Sequence, residues 1–179
     1  KPDAPLTLPA GFSIRVFARD LAGARVIAFD QSGNMRVSQT KEGLVSRLII
    51  ENRRVVKKEV VFRDLSNPHG IAFDSKNPSV IYIAEEDKLS RIDLHSNGRK
   101  IETILSLPSG GGHFTRTIGF GPDDLLYISI GSSCNVCNEK DERRATILSI
   151  DPEKFWDGFT TVARGLRNAV FFNWHPRNE

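Results

Sequence analysis

The sequence predicts an all-β protein: a β-propeller of four-stranded antiparallel blades, with about three complete blades present. Three observations predict it. The first is a recurring pattern in which an apolar run ends in phenylalanine, a polar turn follows, and a second apolar run begins. It reads A-R-V-I-A-F-D-Q-S-G-N-M-R-V-S from Ala24, P-H-G-I-A-F-D-S-K-N-P-S-V-I-Y-I-A from Pro68, and T-I-G-F-G-P-D-D-L-L-Y-I-S-I-G from Thr117. The second is spacing. Phe29, Phe73, Phe120 and a fourth aromatic, Trp174, stand 44, 47 and 54 residues apart. Strand units recurring at roughly 40 to 50 residues are the mark of propeller blades. The third is that no stretch sustains a helical apolar period. An antiparallel sandwich has similar strand spacing, but the repeated F-D and P-D turns favour blades.

Each unit continues in the same way. Third strands fall at 45–50, 88–94 and 146–150. They carry an echo in Ser46-Arg47-Leu48, Ser90-Arg91-Ile92-Asp93 and Leu148-Ser149-Ile150-Asp151. Fourth strands close the units at 55–62, 101–107 and 159–163. Asn97-Gly98, between the third and fourth strands of the second unit, is a strong hairpin signal. The blade units are therefore 24–62, 68–107 and 115–163, in one partial propeller domain over 1–179. Edge strands are expected at 12–18 and 170–174. The run Arg53-Arg54-Val55-Val56-Lys57-Lys58 suits an outer edge strand, where charge discourages sheet-to-sheet pairing. The phenylalanines and Met35 suit the core between blades.

A closed propeller takes about four to eight blades. Three units are thus expected to belong to a larger propeller, closed by a missing C-terminal half or by another copy. Until closed, its outer blades present apolar faces.

Charge excludes little but narrows the field. The chain has 25 basic and 22 acidic residues, a net charge of +3. Nucleic-acid binding is not expected, because no aromatic side chains interleave with the basic run. No apolar run approaches the length of a membrane span. The polar start, Lys1-Pro2-Asp3-Ala4-Pro5, is compatible with a mature terminus after cleavage.

The cysteines form one C-x-x-C, Cys134-Asn135-Val136-Cys137. A haem attachment motif requires histidine next, and Asn138 stands there. A zinc site requires two further ligands, and there is no second pair. A local disulfide in an oxidising compartment is favoured over free thiols.

Chemistry concentrates in loops that precede innermost strands, since successive blades gather them at one end. These are Asn67-Pro68-His69-Gly70, Gly111-Gly112-His113-Phe114-Thr115-Arg116 and Arg164-Gly165-Leu166-Arg167-Asn168. A histidine, an arginine and an amide converging there can abstract a proton and hold an oxyanion. Arg116 is read as a structural ion-pair partner or as loop support, His69 as ambiguous, and Asp30, Asp74 and Asp123 as residues that close turns.

The segments H-F-T-R-T-I-G-F-G-P-D, G-S-S-C-N-V-C and A-R-G-L-R-N-A-V, with L-P-A-G-F-S-I-R-V-F-A at the start, resemble the soluble pyrroloquinoline quinone (PQQ)-dependent sugar dehydrogenases. The sorbosone dehydrogenase-like branch is the nearest in pattern. The resemblance implies a six-bladed propeller that binds PQQ and calcium. It implies that His113 is the catalytic base on a sugar hydroxyl, and that Arg167 and Asn168 bind the quinone, Arg167 also stabilising its reduced form. It places the calcium-binding segment, and the basic residues for the quinone carboxylates, in later blades, so no metal ligand is assigned within the chain. The implied partners are a sugar (an aldose or sorbosone-like substrate) and an electron acceptor, in a periplasmic or secreted setting. Two alternatives remain: a non-catalytic propeller scaffold, and a calcium-dependent lactonase-type hydrolase.

Overall fold

A computed structural model describes residues 6–95 and 101–175. Its strands are β1 (Ala24–Phe29), β2 (Met35–Gln39), β3 (Leu44–Glu51), β4 (Arg54–Phe62), β5 (Gly70–Phe73), β6 (Val80–Ala84), β7 (Lys88–Asp93), β8 (Ile101–Ser106), β9 (Ile118–Phe120), β10 (Leu126–Ile130), β11 (Thr146–Ile150) and β12 (Thr160–Arg164). They form three four-stranded antiparallel sheets, β1-β2-β3-β4, β5-β6-β7-β8 and β9-β10-β11-β12, each in chain order. Among the described residues there is no α-helix, only 3₁₀ turns at Thr40–Glu42 and Phe155–Asp157. Among the described residues no helix is long and apolar enough to cross a membrane. The Asn97-Gly98 turn lies outside the described residues.

The sheets stack face to face. This explains why β6 reads as an unbroken apolar run, V-I-Y-I-A, buried along its whole length: a strand covered on both faces has no polar side to alternate with. Ile71, Ile81, Ile83 and Ile92 of the second sheet pack with Val45 and Phe62 of the first. Tyr82 and Leu89 pack with Ile118, Leu126 and Ile128 of the third. Charged β4 lies at the outer edge of its sheet.

One device recurs at every β-turn between the first two strands. Phe29, Phe73 and Phe120 each end an innermost strand. An aspartate follows, and one carboxylate oxygen closes the turn. Asp30 Oδ1 accepts from Ser32 and Asn34 N–H, Asp74 Oδ1 from Lys76 and Asn77, and Asp123 Oδ1 from Leu125. The other oxygen holds a side chain of the next strand: Arg36 Nη1 at 3.1 Å, Tyr82 Oη at 3.2 Å and Tyr127 Oη at 2.8 Å.

Two expected strands do not form. Segment 12–18 is not in a strand among the described residues, with Phe12 largely exposed, although Ala18 and Leu21 lie against Met35, Val37 and Leu48. Segment 170–174 is also unpaired. It lies beside β9, its Trp174 and Phe172 rings facing Gly119. Both have strand composition, but a strand exists only where a partner completes its hydrogen bonds, and among the described residues neither has one. Phe29 is a third correction. It is 60% exposed rather than buried between blades, because no sheet covers its face of the first blade among the described residues.

Candidate functional site

In an antiparallel sheet the start of the first strand and the end of the second lie at the same end. In the third blade this gathers three segments: 107–117 leading into β9, 131–145 joining β10 to β11, and 165–170 following β12. The β10–β11 connection is much longer than its counterparts, 40–43 and 85–87.

Buried arginines shape the first segment. Arg116 is fully buried and donates to four carbonyls: Pro108 at 2.7 Å, Thr115 at 2.9 Å, and His113 and Glu86 at 3.2 Å. Burial, then the Arg144 charge, lower its pKa to about 10, with Glu86 opposing. It is still a cation at neutral pH. Arg144 Nη2 donates to the Ser109 and Gly110 carbonyls at 2.7 Å each. A loop cannot pair its own carbonyls, and a guanidinium fork supplies the missing donors.

His113 is half-buried. Its Nε2 is enclosed and has no hydrogen-bond partner among the described residues. Gly131 brings it to Asn168: a Cβ added there would lie 2.6 Å from His113 Cβ and 3.0 Å from Asn168 Oδ1. Only glycine permits that approach. Thr115 Oγ1 donates to Asn168 Oδ1 at 2.7 Å, which leaves the amide N–H groups of Asn168 as its free donors. Arg167 follows a different course. Its carbonyl accepts from Ser132 N–H at 2.8 Å. Its exposed guanidinium donates to Asn135 Oδ1 at 2.6 Å. It borders a cleft of about 230 Å³ lined by Ser132, Cys134, Asn135 and Glu139. Thus His113 and Asn168 share one cradle, and the Arg167 charge sits at the adjoining disulfide loop. Cys134 and Cys137 are bonded to each other.

His69 is fully buried and accepts from Arg25 Nε at 3.2 Å. Burial chiefly, with the Arg25 and Arg116 charges, lowers its pKa to about 4, opposed by a hydrogen bond to the Arg116 backbone. It is a neutral structural histidine, closed to a substrate. His95 is exposed and takes its place in a turn anchored by Asp93 Oδ1. Asp30, Asp74 and Asp123 have both carboxylate oxygens engaged by turns and side chains. Sequence reasoning did not single out Thr115, Gly131, Asn135 or Arg144. The only signal for Asn135 and Gly131 was their place in G-S-S-C-N-V-C beside the cysteines.

The fold is that of a partial β-propeller with its polar cluster on the loops at one end of the blades. The chain belongs to the TrAA12-like family, whose model matches residues 6–179. No curated protein matches it. Among solved structures, it resembles the holo form of the pyranose dehydrogenase PQQ domain from Coprinopsis cinerea, with 23% identity and a TM-score of 0.73 over 86% of this chain and 39% of that one. An AA12 carbohydrate-active enzyme from Trichoderma reesei gives 21% identity and a TM-score of 0.75 over 92% and 45%. The PQQ-bound aldose sugar dehydrogenase from Streptomyces coelicolor gives 19% and 0.61 over 78% and 48%. The chain spans less than half the length of each of these structures.

Proposed function

We propose that this chain forms part of a PQQ-dependent sugar dehydrogenase, and that a sugar hydroxyl is oxidised to a carbonyl at the end of the blades that carries His113. The observation that carries the reading is the enclosed, unpartnered Nε2 of His113, on a residue whose Cβ lies with Asn168 Oδ1 beside Gly131, in a chain of the TrAA12-like family.

The residues present fit PQQ. Arg167 offers a planar fork of donors suited to paired oxygens, and Asn168 offers amide N–H groups whose direction Thr115 fixes. When bound, PQQ supplies the two-electron acceptor for hydride from the substrate carbon. His113 Nε2 takes the proton of the hydroxyl on that carbon, and a positioned base of this kind contributes about 10²–10⁴-fold. Arg116 holds the carbonyl of His113 and so fixes where the ring stands. Arg167 and Asn168 stabilise negative charge that develops on quinone oxygens.

The residues present do not fit calcium. Among the described residues the one cluster of three His, Cys, Asp or Glu side chains is Cys134, Cys137 and Glu139, and both sulfurs are spent in the disulfide, which leaves a single carboxylate. Calcium prefers six to eight oxygen donors, so no step here involves it. Asp30, Asp74 and Asp123 have both carboxylate oxygens engaged by turns and side chains, so they do not supply the acidic ligands that the hydrolase alternative requires. The disulfide suits an oxidising compartment, which supports a periplasmic or secreted location.

The test uses the full-length protein with PQQ, calcium and an artificial electron acceptor. Aldose-dependent bleaching that His113→Ala reduces by about 10²-fold or more, with quinone binding retained, is the expected result. A full-length protein that folds yet never binds PQQ would leave the scaffold reading in its place.

A further inference from the structure

We infer that Asn135 is a positioning residue for Arg167, and that the Cys134–Cys137 disulfide fixes Asn135 in the place from which it acts. The sequence favoured the bond; the structure shows what the loop it closes holds.

The bond closes Cys134-Asn135-Val136-Cys137 into a small ring. Both sides of the ring are anchored. Ser132 Oγ donates to the Cys134 carbonyl at 2.6 Å. Ser133 N–H donates to Glu139 Oε1 at 2.7 Å, and Glu139 Oε1 lies 3.7 Å from Cys137 Sγ. The ring also reaches both halves of the site. Gly112 N–H, next to His113, donates to the Ser133 carbonyl at 2.6 Å, and Ser132 N–H donates to the Arg167 carbonyl at 2.8 Å. Asn135 Oδ1 then accepts from Arg167 Nη2 at 2.6 Å.

An exposed arginine side chain samples many rotamers, and confining it costs conformational entropy. A single acceptor on a mobile loop would not confine it, since the acceptor would have to be ordered too. An acceptor on a covalently closed, multiply anchored ring is already ordered, so the Arg167 fork is held before any ligand arrives. Asparagine suits the task. Its neutral Oδ1 holds the guanidinium without neutralising the charge meant for an anion, whereas an aspartate would pair with it.

Opening the ring releases this hold. A dithiol reductant transfers two electrons and two protons: its thiolate attacks one cysteine sulfur, the S–S bond breaks, and its second thiol displaces the protein cysteine from the mixed disulfide. Two protein thiols and one oxidised reductant result.

The consequence for quinone binding rests on the dehydrogenase reading, but the contact does not, and the experiment separates them. The rate at which phenylglyoxal modifies Arg167 is followed by peptide mass spectrometry on the full chain. Wild-type oxidised protein, Asn135→Ala, Asn135→Asp and the Cys134→Ser/Cys137→Ser double variant are compared, the wild type also after dithiothreitol. Asn135→Ala, the double variant and the reduced wild type should react roughly fivefold faster than the oxidised wild type, the factor set by one net hydrogen bond. Asn135→Asp should restore or exceed the original protection. Unchanged thermal midpoints would show that the change is local, and a spectroscopic PQQ titration would report weaker binding in the fast-reacting forms. Equal Arg167 reactivity in all forms overturns the inference, as does failure of Asn135→Asp to protect. Loss of protection in a protein that binds no PQQ in any form upholds the positioning role and removes the cofactor reading alone.

Discussion

The indole of Trp174 meets the ring of Tyr127 edge to face, with centroids 5.2 Å apart. Phe120 meets Tyr82 in the same way one blade earlier, at 5.5 Å. The repeat holds in register as well as in type. Tyr82 pairs across the sheet with Ala72, the residue before Phe73, and Tyr127 with Gly119, the residue before Phe120. In the first blade the same place belongs to Arg36, opposite Ala28, and its guanidinium lies 5.7 Å over the Phe73 ring. Each blade therefore lays one second-strand side chain, tied down by its turn aspartate, on the aromatic of the next. Burial first, then the Asp74 charge, raise the pKa of Tyr82, so its phenol remains a donor to Asp74.

These ring contacts should show as coupling. A double-mutant cycle of Tyr82→Ala and Phe120→Ala, read by urea unfolding, is expected to give about 0.5–1.5 kcal/mol beyond the single losses. Simple additivity would remove the contact from the list of forces joining the blades.

Gly70 marks a close approach of the second and third blades. A Cβ there would lie 2.4 Å from the Arg116 carbonyl oxygen and 2.9 Å from Ile118 N, both backbone atoms that cannot swing aside. Gly70→Ala should cost about 1–3 kcal/mol. Gly112→Ala is the control, since its nearest contact is an ordinary 3.5 Å. Comparable midpoints for the two variants would contradict the close approach.

Gly131→Ala should act on the site more than on the fold, because its Cβ would press on His113 and Asn168 together. In the full-length protein we expect turnover to fall by about tenfold or more, since small displacements of a positioned group are costly. Thr115→Val leaves Asn168 Oδ1 without its donor, and about 1–3 kcal/mol of quinone binding should be lost. Thr115→Ser should restore it. Normal binding by Thr115→Val would show that Asn168 needs no such orientation.

His69 should make stability depend on pH in a defined direction. Its pKa is lowered to about 4 in the fold, against about 6.5 unfolded. Between these values the unfolded chain binds the extra proton. Stability is therefore full above about pH 6.5 and declines by about 3 kcal/mol as pH falls toward 4. His69→Gln keeps an acceptor for Arg25 and should flatten the curve in that window. A wild-type-minus-variant difference that is independent of pH would refute the assignment.

The sequence by itself determined the blades. The aromatic-turn-strand pattern, its spacing and the third-strand echoes are local signals, and the sheets that formed, Ala24–Phe62, Gly70–Ser106 and Ile118–Arg164, follow them. The C-x-x-C pairing was legible for a similar reason: its two sulfurs are neighbours along the chain, and no other partners were on offer.

Tertiary structure decided what depends on neighbours distant in sequence. Among the described residues, segments 12–18 and 170–174 have strand composition but lack partners, and Phe29 has blade-core chemistry but no covering sheet. The fate of each basic group also lay out of reach. Arg116 became a buried staple for four carbonyls, His69 a neutral acceptor for Arg25, and Arg167 the partner of Asn135. Periodicity reports which face of a strand is apolar. It cannot report which loop of which blade will stand within 3 Å of a guanidinium, because that distance is fixed by the stacking of sheets and by how near a glycine lets two backbones come.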